Sequence, residues 1–204
     1  ELLYYWMIGE PDPASGINAK NTPDYSFNPE LCREDGTQMD SLEIFDVLLK
    51  LCKENGIKVM VDVHSPDANN SGHNYELWYG KEMSTGVMVT TEIWMDTWVW
   101  LADRYKNDDT LIALDLKTEP HGKRGYDSAT CPTTIAKWDN STDENNWKYA
   151  AETCAKKILE VNPNVLIVVE GIEQYPKTEQ GYNFDTPDVW EPTVDRPSPW
   201  HPAW

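Results

Sequence analysis

Polar side chains follow a short apolar run in the middle of the chain, at residues 111–122, LIALDLKTEPHG. The run itself, LIAL, is typical of a parallel strand that is covered on both faces. Five polar residues come after it: Asp115, Lys117, Thr118, Glu119 and His121. Pro120 ends the strand because proline has no N–H to donate. Ligands bind at the carboxyl ends of parallel strands, so Glu119 is a candidate for general acid/base catalysis.

Two other apolar runs also lead into acids or histidines. Residues 57–63, IKVMVDV, contain Asp62 near their end and are followed by HSPD and a long polar loop. The HSPD segment and the loop contain His64, Asp67 and His73. Residues 165–169, VLIVV, are followed by Glu170 and Glu173. Because the carboxyl ends of parallel strands meet at one edge of a sheet, this concurrence favours a shared site more strongly than any single residue does.

Three helices alternate with these strands and must position them. The patterns predict a first helix from Thr37 or Asp40 to Gly56, a second capped by Thr91, and a third over residues 143–161. The second helix carries an aromatic and apolar stripe, which we interpret as core: Trp94, Trp98, Leu101 and Tyr105. Each connection is long enough for a crossover helix, so the strands should be parallel. Residues 175–204 show no period and are predicted to be loop.

The architecture that fits this order is a (β/α)8 TIM barrel. A doubly wound sheet is disfavoured because no strand is followed by G-x-G-x-x-G or by a Walker loop. A whole barrel needs about 250 residues and eight strands, whereas strands 2 or 3 to 5 are recognisable here. We therefore expect residues 1–204 to be a single partial catalytic domain that is truncated at both ends.

Composition narrows the possible partners. The net charge of −18 and pI of about 4.4 argue against a nucleic-acid or membrane partner, because no basic patch is present. No apolar run has membrane length and no signal peptide is recognisable. Ten Trp and ten Tyr could stack on the apolar faces of sugars, although most of them should be core residues.

The four cysteines, Cys32, Cys52, Cys131 and Cys154, lack the CxxC spacing of a metal site. A Cys32–Cys52 or a Cys131–Cys154 disulfide is compatible with the sequence, which establishes neither of them.

The strand ends VDVHSPD, LDLKTEPHG and VVEGIEQYP resemble strands three to five of glycoside hydrolase family 5, the endo-β-1,4-glucanase or cellulase family. The resemblance extends over nearly all of residues 57–175, through SGHNYELWYG and NWKYAAETCAKKILEVNPNVLIVVEG. It implies a secreted enzyme without a cofactor or metal that cleaves internal β-1,4 bonds of a β-glucan. It also implies a carbohydrate-binding or dockerin module in the full-length parent.

The resemblance assigns roles to individual residues. Glu119 matches the general acid/base, and His64 matches the histidine beside the nucleophile. Thr118 stands where the family usually has an asparagine that bonds the sugar 2-hydroxyl, which is a departure from the family pattern. The nucleophile glutamate should follow strand seven, beyond residue 204, so these residues alone should not complete the reaction. The remaining candidates for substrate contact are Trp6, Trp78, Tyr79, His121 and Glu170, of which Glu170 could instead be a structural acid of the barrel mouth or a second carboxylate.

Two other classes of function compete with this hypothesis. Thr118 and the missing nucleophile would suit an incomplete barrel that only binds β-glucan. A metal-dependent hydrolase could use Asp62, His64, Glu170 and either Glu119 or His121 as ligands. His-x-His spacing is absent, however, and acids outnumber histidines, so a catalytic zinc site is disfavoured.

Overall fold

A computed structural model describes residues 26–63, 77–82, 86–120, 135–172, 174–176, 181 and 190–192. After a 3-10 turn at Pro29–Leu31, helices and strands alternate. In chain order they are α1 Ser41–Glu54, β1 Val59–Asp62, α2 Thr91–Arg104, β2 Leu111–Asp115, α3 Trp147–Val161 and β3 Leu166–Val168. Two short strands follow, β4 Gln174–Pro176 and β5 Trp190–Pro192.

The three longer strands form one parallel sheet in the order β1-β2-β3. Met60 pairs with Ala113, and Ala113 pairs with Leu166, so consecutive strands in the chain are neighbours in the sheet. The prediction of parallel strands is confirmed. As a consequence, the ends of all three strands, with Asp62, Asp115 and Glu170, lie along one edge.

Helices α2 and α3 pack against each other and cover one face of this sheet. The stripe predicted on α2 is buried as expected, with Trp94, Trp98, Leu101 and Tyr105 all in the core. Burying each side chain of this size contributes about 1.5–3 kcal/mol. The interface therefore forms a packed support behind β2 and β3.

Helix boundaries follow from side-chain capping. Asp40 caps α1 in a capping box with Glu43, in which each side chain accepts the other residue's backbone N–H. The cap of α2 is Thr90 rather than the predicted Thr91, because the Thr90 hydroxyl accepts the N–H of Ile93. Helix α3 begins at Trp147 and not at residue 143, because residues 143–146 form a turn ahead of it.

Several other expectations are corrected. Residues 175–204 were expected to be loop, but β4 and β5 pair there as an antiparallel ribbon. Cys32, Cys52 and Cys154 are free thiols, so neither of the two disulfides considered is formed. Cys131 lies outside the described residues. Among the described helices, none has the length and apolarity needed to cross a membrane.

The other face of the sheet presents a row of apolar side chains. Met60, Ala113 and Leu166 are in direct register across the three strands. Met60 and Leu166 are 55% and 63% exposed. Asp62 and Asp115 lie on this same face two residues farther along, because side chains alternate along a strand. This face therefore changes from apolar to acidic at the carboxyl edge.

Candidate active site

Glu119 lies four residues beyond the end of β2 and has an unusual backbone. Its φ is +49°, and it is the one residue other than glycine with a positive φ among the described residues. Its backbone N–H donates to Oε2 of Glu170 at 2.8 Å. Non-glycine residues in this region are rare and cluster at functional sites. The predicted acid/base therefore has a backbone conformation that is held by a neighbouring carboxylate.

Thr118 is fixed between β1 and β2. Its N–H donates to the carbonyl of Val63 at 3.0 Å, and its hydroxyl donates to Oδ2 of Asp62 at 3.2 Å. The ammonium of Lys117, which is 0% exposed, donates to the carbonyl of Thr118. The peptide that precedes Glu119 is therefore tied to both strands.

Indole N–H groups hold the carboxyl ends of β2 and β3. Trp94 and Trp98, both on α2, donate to the carbonyl of Leu116 at 3.2 and 3.1 Å. Trp147, the first residue of α3, donates to the carbonyl of Glu170 at 2.7 Å. Buried carbonyls need such partners because water cannot reach them. The helices thus fix the backbone of both strand ends and not only the sheet behind them.

Asp115 is the last residue of β2 and is only 5% exposed. Burial, the charge and hydrogen bond of Glu170, and the charge of Asp62 raise the pKa of Asp115 to about 7. Among the described atoms, its Oδ1 has no hydrogen-bond partner. Three carboxyl groups from neighbouring strand ends thus meet at this edge, and one of them carries a proton below pH 7.

Trp78 and Tyr79 lie in the segment between β1 and α2. The Trp78 ring is 1% exposed and contacts the rings of Tyr79, Trp94 and Trp147 with centroids 5.0 to 6.1 Å apart. This burial argues against a stacking role for Trp78, because a sugar cannot reach the ring. Tyr79 is half-buried, and burial together with the charge of Glu144 raises the pKa of Tyr79 to about 12. Tyr79 therefore stays a neutral hydroxyl that could still contact a ligand.

The structure brings four of the residues singled out from the sequence together at one edge. Thr118, Glu119 and Glu170 share the carboxyl edge with Asp62, which the sequence placed among the polar strand ends. His64, Trp6 and His121 lie outside the described residues. Within the described part of the chain, no group of three or more His, Cys, Asp or Glu side chains is arranged to hold a metal ion.

Sequence reasoning missed the roles of Asp115 and of the indole donors. Asp115 occupies the last position of an apolar strand, and that position predicts a buried carboxyl in retrospect. For Trp94, Trp98 and Trp147 the sequence indicated burial only. Nothing in their spacing indicates that their N–H groups bond the carbonyls of the strand ends.

The three strand ends lie within a region that matches a known protein family. The family model described as Cellulase (glycosyl hydrolase family 5) matches residues 15–196. The chain belongs to this family. The resemblance noted from the strand ends is therefore confirmed over most of the chain.

Two named endoglucanases are similar to this chain. Endoglucanase G of Acetivibrio thermocellus is 67% identical over 206 residues, which cover 100% of this chain and 36% of that protein. Endoglucanase B of the same organism is 42% identical over 200 residues, which cover 98% of this chain and 30% of that protein. The chain thus spans about a third of the length of these relatives.

The solved structure of an endocellulase shares the fold. The hyperthermophilic endocellulase from the archaeon Pyrococcus horikoshii superposes with a TM-score of 0.60 at 34% identity. The match covers 78% of this chain and 39% of that chain. The prediction of a partial TIM barrel is confirmed, because the parallel sheet and its covering helices correspond to part of such a barrel.

Proposed function

We propose that this chain is the central part of the catalytic barrel of a retaining endo-β-1,4-glucanase. The observation that carries the proposal is Glu119, which follows a parallel strand at the ligand-binding edge with its backbone held by Glu170. Its substrate is cellulose or a related β-glucan, which is cleaved at internal β-1,4 bonds. The function is that of a secreted enzyme whose full-length form also carries a carbohydrate-binding or dockerin module.

Relatives support this choice of substrate. The two Acetivibrio thermocellus relatives are named endoglucanases. A variant of the Pyrococcus horikoshii endocellulase forms a complex with cellotetraose, an oligosaccharide of this class. The acidic composition of the chain suits an uncharged polysaccharide better than a polyanionic one.

In the first step of the proposed mechanism, Glu119 acts as an acid. A nucleophile carboxylate, supplied by a part of the barrel beyond residue 204, attacks the anomeric carbon. The bond from that carbon to the glycosidic oxygen breaks, and the protonated Glu119 carboxyl gives its proton to the departing oxygen. The products are a covalent glycosyl-enzyme and the shortened glucan.

In the second step, Glu119 acts as a base. Its carboxylate takes a proton from a water molecule whose oxygen attacks the anomeric carbon, and the nucleophile leaves as a carboxylate. Glu119 ends the cycle protonated, as it began. Two inversions at one carbon give net retention of configuration.

Thr118 serves as the polar contact where most family members have an asparagine. Its hydroxyl hydrogen is directed to Asp62, so its oxygen keeps lone pairs that can accept a hydrogen bond from the sugar 2-hydroxyl. Threonine cannot also donate an amide N–H, so we expect one contact where asparagine makes two. We therefore expect hydrolysis to occur, but more slowly than with asparagine at this position.

The test compares Glu119→Ala with the wild type in the full-length parent, meaning the protein that contains this chain and the rest of its barrel. On phenyl β-cellobioside, whose leaving group needs protonation, we expect kcat/KM to fall by about 10²–10⁴-fold. The leaving group of 2,4-dinitrophenyl β-cellobioside departs without protonation, so the rate of the first step on this substrate should be nearly unchanged. Added azide should then replace water and yield a β-cellobiosyl azide, because azide needs no general base.

The matched control is Glu160→Ala, because Glu160 is an exposed residue on α3. This substitution should leave kcat/KM on both substrates unchanged. Glu119→Gln should keep β-glucan binding nearly intact while abolishing turnover. Full turnover of phenyl β-cellobioside by Glu119→Ala would refute the assignment. A parent that binds β-glucan but releases no reducing sugar would support the binding-only alternative instead.

A further inference from the structure

We propose that Glu170 is a positioning residue for the acid/base: its carboxylate holds the backbone of Glu119 in a left-handed conformation and so aims the Glu119 side chain at the glycosidic oxygen. This role differs from the substrate contact that the sequence suggested for Glu170. The inference rests on the function proposed above.

The first step of the argument is the backbone of Glu119. A residue with a Cβ disfavours positive φ, because the Cβ then crowds the carbonyl oxygen. Glu119 nevertheless has φ +49° and is followed directly by Pro120. The direction in which its side chain leaves the strand end depends on this φ. Something in the fold must therefore keep Glu119 from relaxing to an extended backbone.

The second step is the bond that holds it. Oε2 of Glu170 accepts the backbone N–H of Glu119 at 2.8 Å, across 51 residues of sequence. A hydrogen bond to an ionised carboxylate is shorter and stronger than one between neutral groups. It also joins the end of β3 to the end of β2, so the neighbouring strand sets the orientation of Glu119.

The third step is what holds Glu170 itself. Its carbonyl accepts the indole N–H of Trp147 at 2.7 Å, so its main chain is anchored to α3. Its side chain lies beside that of Asp115, a buried residue whose pKa is raised by burial and by the charge of Glu170. A protonated Asp115 can donate a hydrogen bond to one carboxylate oxygen of Glu170, while Oε2 of Glu170 accepts the N–H of Glu119.

Loss of the Glu170 carboxylate should therefore affect proton transfer and little else. If the Glu119 carboxyl shifts by an ångström, a leaving group that needs a proton departs more slowly, whereas an activated leaving group does not. If Glu170 had only a structural role, its substitution would instead lower the amount of active enzyme. The apparent activity on both substrates would then fall by the same factor.

The experiment measures kcat/KM of the full-length parent on phenyl and 2,4-dinitrophenyl β-cellobioside, with active sites counted by a trapped 2-deoxy-2-fluoro-glycosyl intermediate. For Glu170→Ala we expect a loss of about tenfold to a hundredfold per active site on the phenyl substrate. On the dinitrophenyl substrate the loss should stay below about threefold, because no acid is needed there.

Two conservative variants complete the test. Glu170→Gln should recover most of the activity on the phenyl substrate, since its amide oxygen can accept from Glu119 and its amide N–H can donate to Asp115. Glu170→Asp keeps the charge but shortens the side chain, so it should show an intermediate loss with the same dependence on leaving group. It also serves as the reporter if Glu170→Ala does not fold.

Three results would overturn the role of Glu170. They are an equal loss per active site on both substrates, no loss on either, or a rise in KM with kcat unchanged, which would indicate substrate contact. The two proposals can fail separately. If Glu119→Ala shows the dependence on leaving group and the Glu170 variants do not, only the positioning role is wrong. If Glu119→Ala lacks it too, the proposed function is wrong.

Discussion

Asp115 combines deep burial with a nearby negative charge. It is the one buried acid among the described residues, and Glu170 and Asp62 both face it from the neighbouring strand ends. Such a carboxyl is easier to keep protonated than ionised. The stability of the site should therefore depend on pH in a way that an exposed aspartate would not produce.

The sign of this dependence follows from the raised pKa of Asp115. Its pKa is 3.8 when unperturbed and about 7 in the fold, so the folded state binds more protons across that interval. The contribution of Asp115 to the free energy of unfolding therefore falls as pH rises from about 4 to about 7. An asparagine side chain cannot ionise, so in Asp115→Asn of the full-length parent this contribution is absent, and the free energy of unfolding should change less unfavourably over this interval than in the wild type.

Urea unfolding at pH 5 and pH 8 measures this effect. The comparison is the difference in unfolding free energy between the two pH values, so any constant cost of the substitution cancels. Asp96→Asn, at an exposed position on α2, is the matched control and should keep the wild-type difference. If Asp115→Asn and the wild type show the same difference, Asp115 is not protonated in the fold.

Indole donors connect helices α2 and α3 to the carboxyl ends of β2 and β3. Two of them, Trp94 and Trp98, share one acceptor, the carbonyl of Leu116. A carbonyl oxygen has two lone pairs, so both bonds can form together. If one of these hydrogen bonds is lost, the other indole still donates to the buried carbonyl of Leu116.

Substitution of these tryptophans should accordingly be non-additive. We expect Trp94→Phe and Trp98→Phe to cost about 0.5–1.5 kcal/mol each, as typical losses of one hydrogen bond. The double variant should cost more than the sum by about 0.5–1 kcal/mol, because it leaves the carbonyl of Leu116 buried without a partner.

Chemical denaturation of the four forms of the full-length parent measures this coupling. Trp100→Phe is the control on the same helix, since Trp100 is 38% exposed, and its effect should stay within about 0.5 kcal/mol. A strictly additive double variant would show that the shared carbonyl does not matter for stability.

The apolar row of Met60, Ala113 and Leu166 concerns the molecule as a whole. The interior of a TIM barrel is filled by layers of such side chains from successive strands. Although Leu166 is 63% exposed in this chain, the rest of the barrel should cover it in the full-length parent. If Leu166 stays exposed, its substitution by alanine should hardly change the free energy of unfolding. If the rest of the barrel covers Leu166, the same substitution should lower that free energy strongly.

Leu166→Ala and Leu159→Ala form a matched pair that decides between them. Leu159 lies on the outer helix α3 and is 41% exposed, which is less than Leu166. If the barrel closes over the row, Leu166→Ala should cost about 2–5 kcal/mol in the parent, as core truncations do. Leu159→Ala should cost much less. Unfolding free energies measure both, and equal costs would mean that the row is not covered.

Predictions from the sequence succeeded where a local pattern encodes the answer. The apolar runs predicted the three parallel strands, and the stripe on α2 predicted its buried face. Boundaries shifted by one to four residues, because Thr90 and not Thr91 bonds the first turn of α2 and because a turn precedes Trp147. The catalytic and binding roles of all the site residues, Glu119 included, stay predictions, as do the secretion and the extra module.

By itself, the sequence determined the alternation of the three helices with the three longer strands, the parallel sheet and the gathering of acids at one edge. Hydrophobic periodicity and strand ends are local properties, so they can be read from neighbouring residues. Only the tertiary structure decided that Glu170 holds the backbone of Glu119 and that Asp115 stands behind both. Those contacts join residues about fifty positions apart, and they depend on strand register and helix packing, which no local pattern encodes.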